Sequence, residues 1–313
     1  MNICIVIINQ NMSSSLCISV EPIIFTRYLY NKTEVKQSLF IALLNRKRDE
    51  AMFWAYELYF SGFGTDVFDY IINVYREIYA MLNPKLVLFI ERMLVEWAKD
   101  KTNDWTIGSI VTTLVNREYD INNFVNTYFN VKCHDNRANR HQKHKFLIVL
   151  NDSDIEKYRT IESGRADTVL QRACRFAVNK EYNKLFDTVV PKREILRDAY
   201  YYHWLYYCLD TPVWRQRIFK YKGRLNHEKK TIEFDDEDKL QEFYDKWGYY
   251  PDEQPVEVEE KTIGCVYEGR AVSIMEFCMR FEAMPITKKV KITESHHDVI
   301  GPEELTNSIQ YIE

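Results

Sequence analysis

Glycine is scarce in this chain, at 9 of 313 residues, and proline is scarcer at 8. So few glycines leave little room for the tight turns of a β-rich fold or for a glycine-lined phosphate loop. The strings GxSxG, GxxxxGK[ST], HExxH and GxGxxG do not occur. The nucleophile elbow, the Walker loop, the zincin helix and the dinucleotide fingerprint are therefore missing, and no cofactor is implied. Seven cysteines, at 4, 17, 133, 174, 208, 265 and 278, are scattered and never form a CxxC pair. That pattern argues against a disulfide framework and for a reducing compartment. Long apolar runs are also wanting. The opening run Ile3 to Ile8 is too short for a membrane span and has no basic stretch before it. It reads as a buried strand or as extra sequence ahead of a second start at Met12. A formal charge of −4 argues against a protein that coats nucleic acid by bulk charge, so any such contact must come from a local patch.

What is abundant is amphipathic helix. In TEVKQSLFIALLN, Val35, Leu39 and Leu43, with Phe40 and Leu44, follow the i, i+4 rule, and Asn31 and Glu34 have capping-box spacing. AMFWAYELYFSGFG predicts a second helix, closed by Gly62 and Gly64 as C-cap residues. A third places Val67, Ile71, Val74 and Ile78 on one stripe, a fourth opens at Asn83-Pro84, and a fifth runs from Trp105 to Asn116. Further on, helices are expected from Gly164, from Pro191 and from Thr211. GRLNHEKKTIEFDD predicts a small hairpin, Asp235 and Asp236 a helix cap, and VSIMEFCMRFEAM a last apolar helix. FLIVLNDSD is open between one strand and a helix start.

The expected fold is mainly α: an irregular antiparallel helical bundle or short helix-pair stack, followed by a second helical unit with a small β element. The corresponding divisions are an extension over 1–27, a helical bundle over 28–130, and a basic loop and connector over 131–163. A second helical unit with the hairpin covers 164–250, a proline-bearing acidic linker 251–262, and a C-terminal helix with polar tail 263–313.

Two stretches carry a resemblance. EVKQSLFIALLNRKRDEAMFWAYELYFSGF and NHEKKTIEFDDEDKLQEFYDKWGYYPDEQ resemble segments of an uncharacterised helical protein family of giant nucleocytoplasmic large DNA viruses, over roughly residues 28–255. The richness in tyrosine (22) and phenylalanine (17) agrees with the AT-rich genomes of many such viruses. The resemblance implies a protein of the host-cell cytoplasm or the virion. It carries no assigned activity, and so no functional residues.

Chemistry concentrates in CHDNRANRHQKH, residues 133–144. As a metal site, Cys133 with His141 and His144 at i, i+3 would supply zinc ligands, although the spacing matches no zinc family. As an anion or nucleic-acid loop it offers Arg137, Arg140, Lys143 and Lys145 against the single acid Asp135. A solvated turn is the third reading. A second basic stretch contains Arg215, Arg217 and Lys220, followed by Lys222 and Arg224. If it faced the first, the two would form one positive groove. YYYHWLYYC, Tyr200 to Cys208, is expected to be core, with His203 a structural histidine. Two functional expectations follow: a non-catalytic helical scaffold that binds a protein partner, or a nucleic-acid-associated accessory protein using these basic stretches. An enzyme of unknown reaction stands third, and a membrane role is not expected.

Overall fold

The computed structural model describes residues 22–129, 132–134, 146–179, 193–264, 273–281 and 283–285. Among these the protein is mainly α-helical. Its helices are α1 (Lys32–Leu44), α2 (Arg48–Phe60), α3 (Gly64–Val74), α4 (Leu86–Lys99), α5 (Trp105–Val115), α6 (Asn122–Phe129) and α7 (Asp152–Ile155). They continue with α8 (Val169–Ala173), α9 (Arg193–Tyr202), α10 (Trp204–Cys208), α11 (Pro212–Lys220), α12 (Glu237–Trp247), α13 (Val256–Thr262) and α14 (Ile274–Arg280). Strands β1 (Cys133–His134), β2 (Gly223–Asn226), β3 (Thr231–Phe234) and β4 (Met284–Pro285) complete the set. Both strand pairs are antiparallel: β2 with β3 as the expected hairpin, and β1 with β4 as a two-residue ladder. No helix of the described residues is long and apolar enough to cross a membrane.

The N-terminal helices form for reasons visible in their ends. The Asn31 side chain accepts from the Thr33 and Glu34 amides and so caps α1. Glu34 does not close a capping box; its carboxylate is buried against Arg193. Gly62, at φ 95°, takes the left-handed position after the Ser61 C-cap of α2. Gly64 is not a second cap but the first residue of α3. The Val67, Ile71, Val74, Ile78 stripe is buried as expected, although a π-helical turn over Tyr75–Tyr79 lies within it. Helix α4 begins two residues after Pro84 and buries Leu86, Phe89, Ile90, Met93 and Trp97 along one side.

Helices α1, α2 and α5 depart from the one-faced reading. They sit in the middle of the packing and are buried nearly all round. Their polar residues are satisfied locally and from a distance. Ser38 donates to the Glu34 carbonyl and accepts from the Asn179 amide. Ser109 and Thr113 accept the Leu150 and Ile148 amides, so 146–150 lies stitched along α5 in no regular element before Asn151 caps α7.

The core is one hydrophobic cluster drawing side chains from Phe25 through Ala283. Three of the expected boundaries therefore give way. Residues 25–27 are not an extension: Phe25 and Arg27 are fully buried, and the Thr26 and Phe25 carbonyls accept from Trp214 and Thr211. The 28–130 and 164–250 divisions share this core. The stretch 251–262, expected as an acidic linker, instead forms a 3₁₀ turn and α13, with Val258, Glu259 and Thr262 buried. The physical reason is that its polar groups have partners. Glu259 accepts from the Tyr201 hydroxyl, and the Gln254 amide donates to the Tyr249 and Asp167 carbonyls.

Candidate anion-binding cleft

Thr211-Pro212 starts α11 with proline at its first position, and the helix buries Trp214, Arg217 and Ile218. Asp236 caps α12, which buries Phe243 and ends at Trp247 before Gly248 turns the chain into Tyr249. An aromatic cluster joins these ends. Trp214 meets Tyr249 edge-on at 5.2 Å and Trp247 at 6.2 Å, while Trp204 packs edge-on to Trp214 at 5.3 Å and stacks on Tyr249 at 6.1 Å.

Arg217 lies between the two indoles. Its guanidinium carbon is 4.5 Å from the Trp214 ring centroid and 3.7 Å from that of Trp247. The residue is 8% exposed, and its Nη1 has no hydrogen-bond partner. Burial draws its pKa down from the usual arginine value. Tyr249, which also hydrogen-bonds the guanidinium, and Tyr28 oppose that shift, and Arg27 adds to it. Arginine stays charged throughout. Burial likewise pushes the Tyr249 and Tyr28 phenols up, so both are neutral at ordinary pH.

This arginine lines an open cavity of about 240 Å³ together with Val213, Gln216, Lys220, Tyr221, Lys246 and Trp247. Lys220 and Lys246 are exposed. Among the described residues no carboxylate lies within ion-pair distance of Arg217, Lys220 or Lys246. Three cations thus converge on a cleft whose other walls are aromatic, aliphatic and amide. Such a cleft can hold an anion by charge-assisted hydrogen bonds and cover its carrier with ring surface.

The expected site residues divide. Arg217 and Lys220 meet here, Lys220 as a wall residue and Arg217 as a buried cation rather than a solvated one. Arg215 points to other partners, the Leu209 carbonyl and the Asp210 carboxylate, and Arg224 pairs with Asp235. Arg137, Arg140, Lys143, Lys145, His141 and His144 lie outside the described residues. Cys133 is half-buried beside Cys278, and with Lys132 it lines a second cavity walled by Asn122, Asn123 and Asn126. Among the described residues no three His, Cys, Asp or Glu side chains converge to hold a metal. In YYYHWLYYC, Tyr200, Trp204, Leu205 and Cys208 are buried as expected, and His203 Nδ1 is 3.0 Å from the Lys230 carbonyl oxygen.

Trp214, Lys246 and Trp247 were not among the expected site residues. The Trp214–Arg217 spacing of i, i+3 was the available signal, because it places a cation over a ring on one helix face. Comparison with known protein families, curated proteins and solved structures finds no match.

Proposed function

We propose that the protein is a non-catalytic helical binding protein that takes an anionic group of its partner into the cleft between α11 and α12. One observation carries this reading: Arg217, almost wholly buried, lines an open cleft together with the exposed Lys220 and Lys246, and among the described residues no carboxylate pairs with any of the three. A buried charge is costly without a counter-charge, so a cleft that gathers three cations and no acid suits an anionic guest. The extended phosphate track of a nucleic acid suits the surroundings poorly. The acids Glu237, Asp238, Glu242 and Asp245 of α12 and Asp235 before it are exposed, and a polyanion leaving the cleft along that helix would meet like charge. A partner presenting one anionic group fits better. On the sequence resemblance, the same proposal places the protein in an infected eukaryotic cell.

The test uses the protein's own fluorescence. Sulfate and acetate are titrated at constant ionic strength while tryptophan emission is followed, for wild type and for a Lys220→Gln/Lys246→Gln variant. Both lysines are exposed, so the variant keeps its core. A saturable change in wild type that weakens at least tenfold in the variant supports the reading. An unsaturable response identical in the two proteins overturns it.

A further inference from the structure

We infer that the anion this cleft takes is the dianionic phosphoryl group of a phosphomonoester, an assignment that rests on the binding reading above. The first argument is a charge count in the core behind the cleft. Arg27 is fully committed: Nε donates to Glu57 at 2.9 Å, Nη1 to Thr160 at 3.0 Å and Nη2 to the Tyr158 carbonyl at 2.7 Å. Glu57 is committed too, accepting from the Thr26 hydroxyl and the Tyr28 amide besides Arg27. Its single negative charge is therefore spent on Arg27. Arg217, whose field reaches Arg27, has only ring faces and a phenol to answer its own charge. Low-dielectric surroundings make such a surplus costly unless a counter-charge joins it.

The second argument concerns valence. Arg217, Lys220 and Lys246 bring three positive charges to one cavity. A carboxylate or sulfate ester would leave two of them unanswered, whereas a phosphoryl dianion leaves one. Its three terminal oxygens can be shared between the Arg217 guanidinium and the two mobile ammonium groups. The third argument is room. About 240 Å³ is several times the ~30 Å³ share of one water, so the group enters with part of its carrier against Val213, Tyr221 and Trp247.

Free phosphate and a phosphate ester share this chemistry, and the experiment separates them. Wild type and Lys220→Gln/Lys246→Gln are titrated calorimetrically at constant ionic strength with phenyl phosphate, phenyl sulfate and inorganic phosphate. Phenyl sulfate is the same shape with one charge fewer. Phenyl phosphate is expected to bind at least tenfold tighter than phenyl sulfate at pH 7.5 in wild type, with that preference largely lost in the variant. Because a phosphomonoester becomes dianionic around pH 6, its affinity should fall about tenfold between pH 7.5 and 5, while that of phenyl sulfate stays level. The cleft lining contains neither histidine nor carboxylate, so the pH dependence belongs to the ligand. Equal binding of the two esters overturns the phosphoryl assignment and leaves anion binding standing. Failure of every probe removes both. Once the dianion preference is seen, tighter binding of phenyl phosphate than of inorganic phosphate assigns the site to an ester, and equal binding assigns it to free phosphate; both keep the phosphoryl assignment.

Discussion

Replacing Glu57 with alanine should be among the most damaging single changes this protein can carry. Glu57 is fully buried and accepts three hydrogen bonds, from Thr26 Oγ1 at 2.6 Å, Arg27 Nε at 2.9 Å and the Tyr28 amide at 3.1 Å. Its removal leaves the Arg27 guanidinium, 1% exposed, with two neutral acceptors and no counter-charge. Breaking one side of a buried pair costs roughly 3–5 kcal/mol, a large share of the 5–15 kcal/mol by which domains are stable. The folded-to-unfolded ratio then drops by about two to three and a half orders of magnitude. Urea unfolding at pH 7, followed by tryptophan emission, measures this directly. An Arg27→Met/Glu57→Leu double variant should recover most of the loss, because no unpaired charge remains. As a reference, Lys99→Gln breaks the exposed pair with Glu96 and should stay within about 0.5 kcal/mol of wild type. A Glu57→Ala loss below about 1 kcal/mol would refute the argument, and so would a double variant as unstable as the single one.

Two further outcomes are expected. Gly62→Ala must hold a side chain at φ 95° with its Cβ 2.6 Å from that of Pro212, so denaturation should show a loss of about 2 kcal/mol or more. Gly64→Ala, which meets the Trp97 ring edge at 3.1 Å and the Tyr59 ring at 3.7 Å, should cost much less; equal losses would show that backbone strain is not the cause. Among the described cysteines, native alkylation at pH 8 followed by peptide mass spectrometry should modify Cys133 first, because it is half-buried while Cys174, Cys208 and Cys278 are buried. Burial, with a smaller contribution from Cys133, pushes the Cys278 thiol up to about 12. It should label only on unfolding, and parity with Cys133 under native conditions would contradict the packing.

The helix inventory was legible where the signals are local. Asn31, Asp236 and Thr211-Pro212 announce helix starts within a few residues of the true ones. Burial was less legible in α1 and α5. Polar residues such as Ser38 and Ser109 look like a solvent face until their donors, the Asn179 and Leu150 amides, are brought in from 141 and 41 residues away. Composition misread PDEQPVEVEEK for the same reason, since the partners that bury Gln254 and Glu259 lie outside it. The cleft was half legible. Arg217 and Lys220 stood out as part of a basic stretch, but charge density alone cannot distinguish a solvated arginine from one clamped between indoles. The second indole, Trp247, arrives from another helix thirty residues downstream of Arg217.

The buried loop at residues 25–30 also sets a schedule for synthesis. Its Phe25 carbonyl waits for Thr211, its Thr26 carbonyl for Trp214, and its Arg27 for Tyr158 and Thr160. At roughly 5–20 residues per second, a ribosome takes on the order of ten to forty seconds between making the loop and making α11. During that interval Phe25, Tyr28 and Tyr30 have no complete shelter, however well α1 and α2 have formed. The nascent chain must therefore spend its early life with an aromatic seam open, a natural point of capture for a chaperone. Truncations that stop before Trp214 should share that exposure permanently.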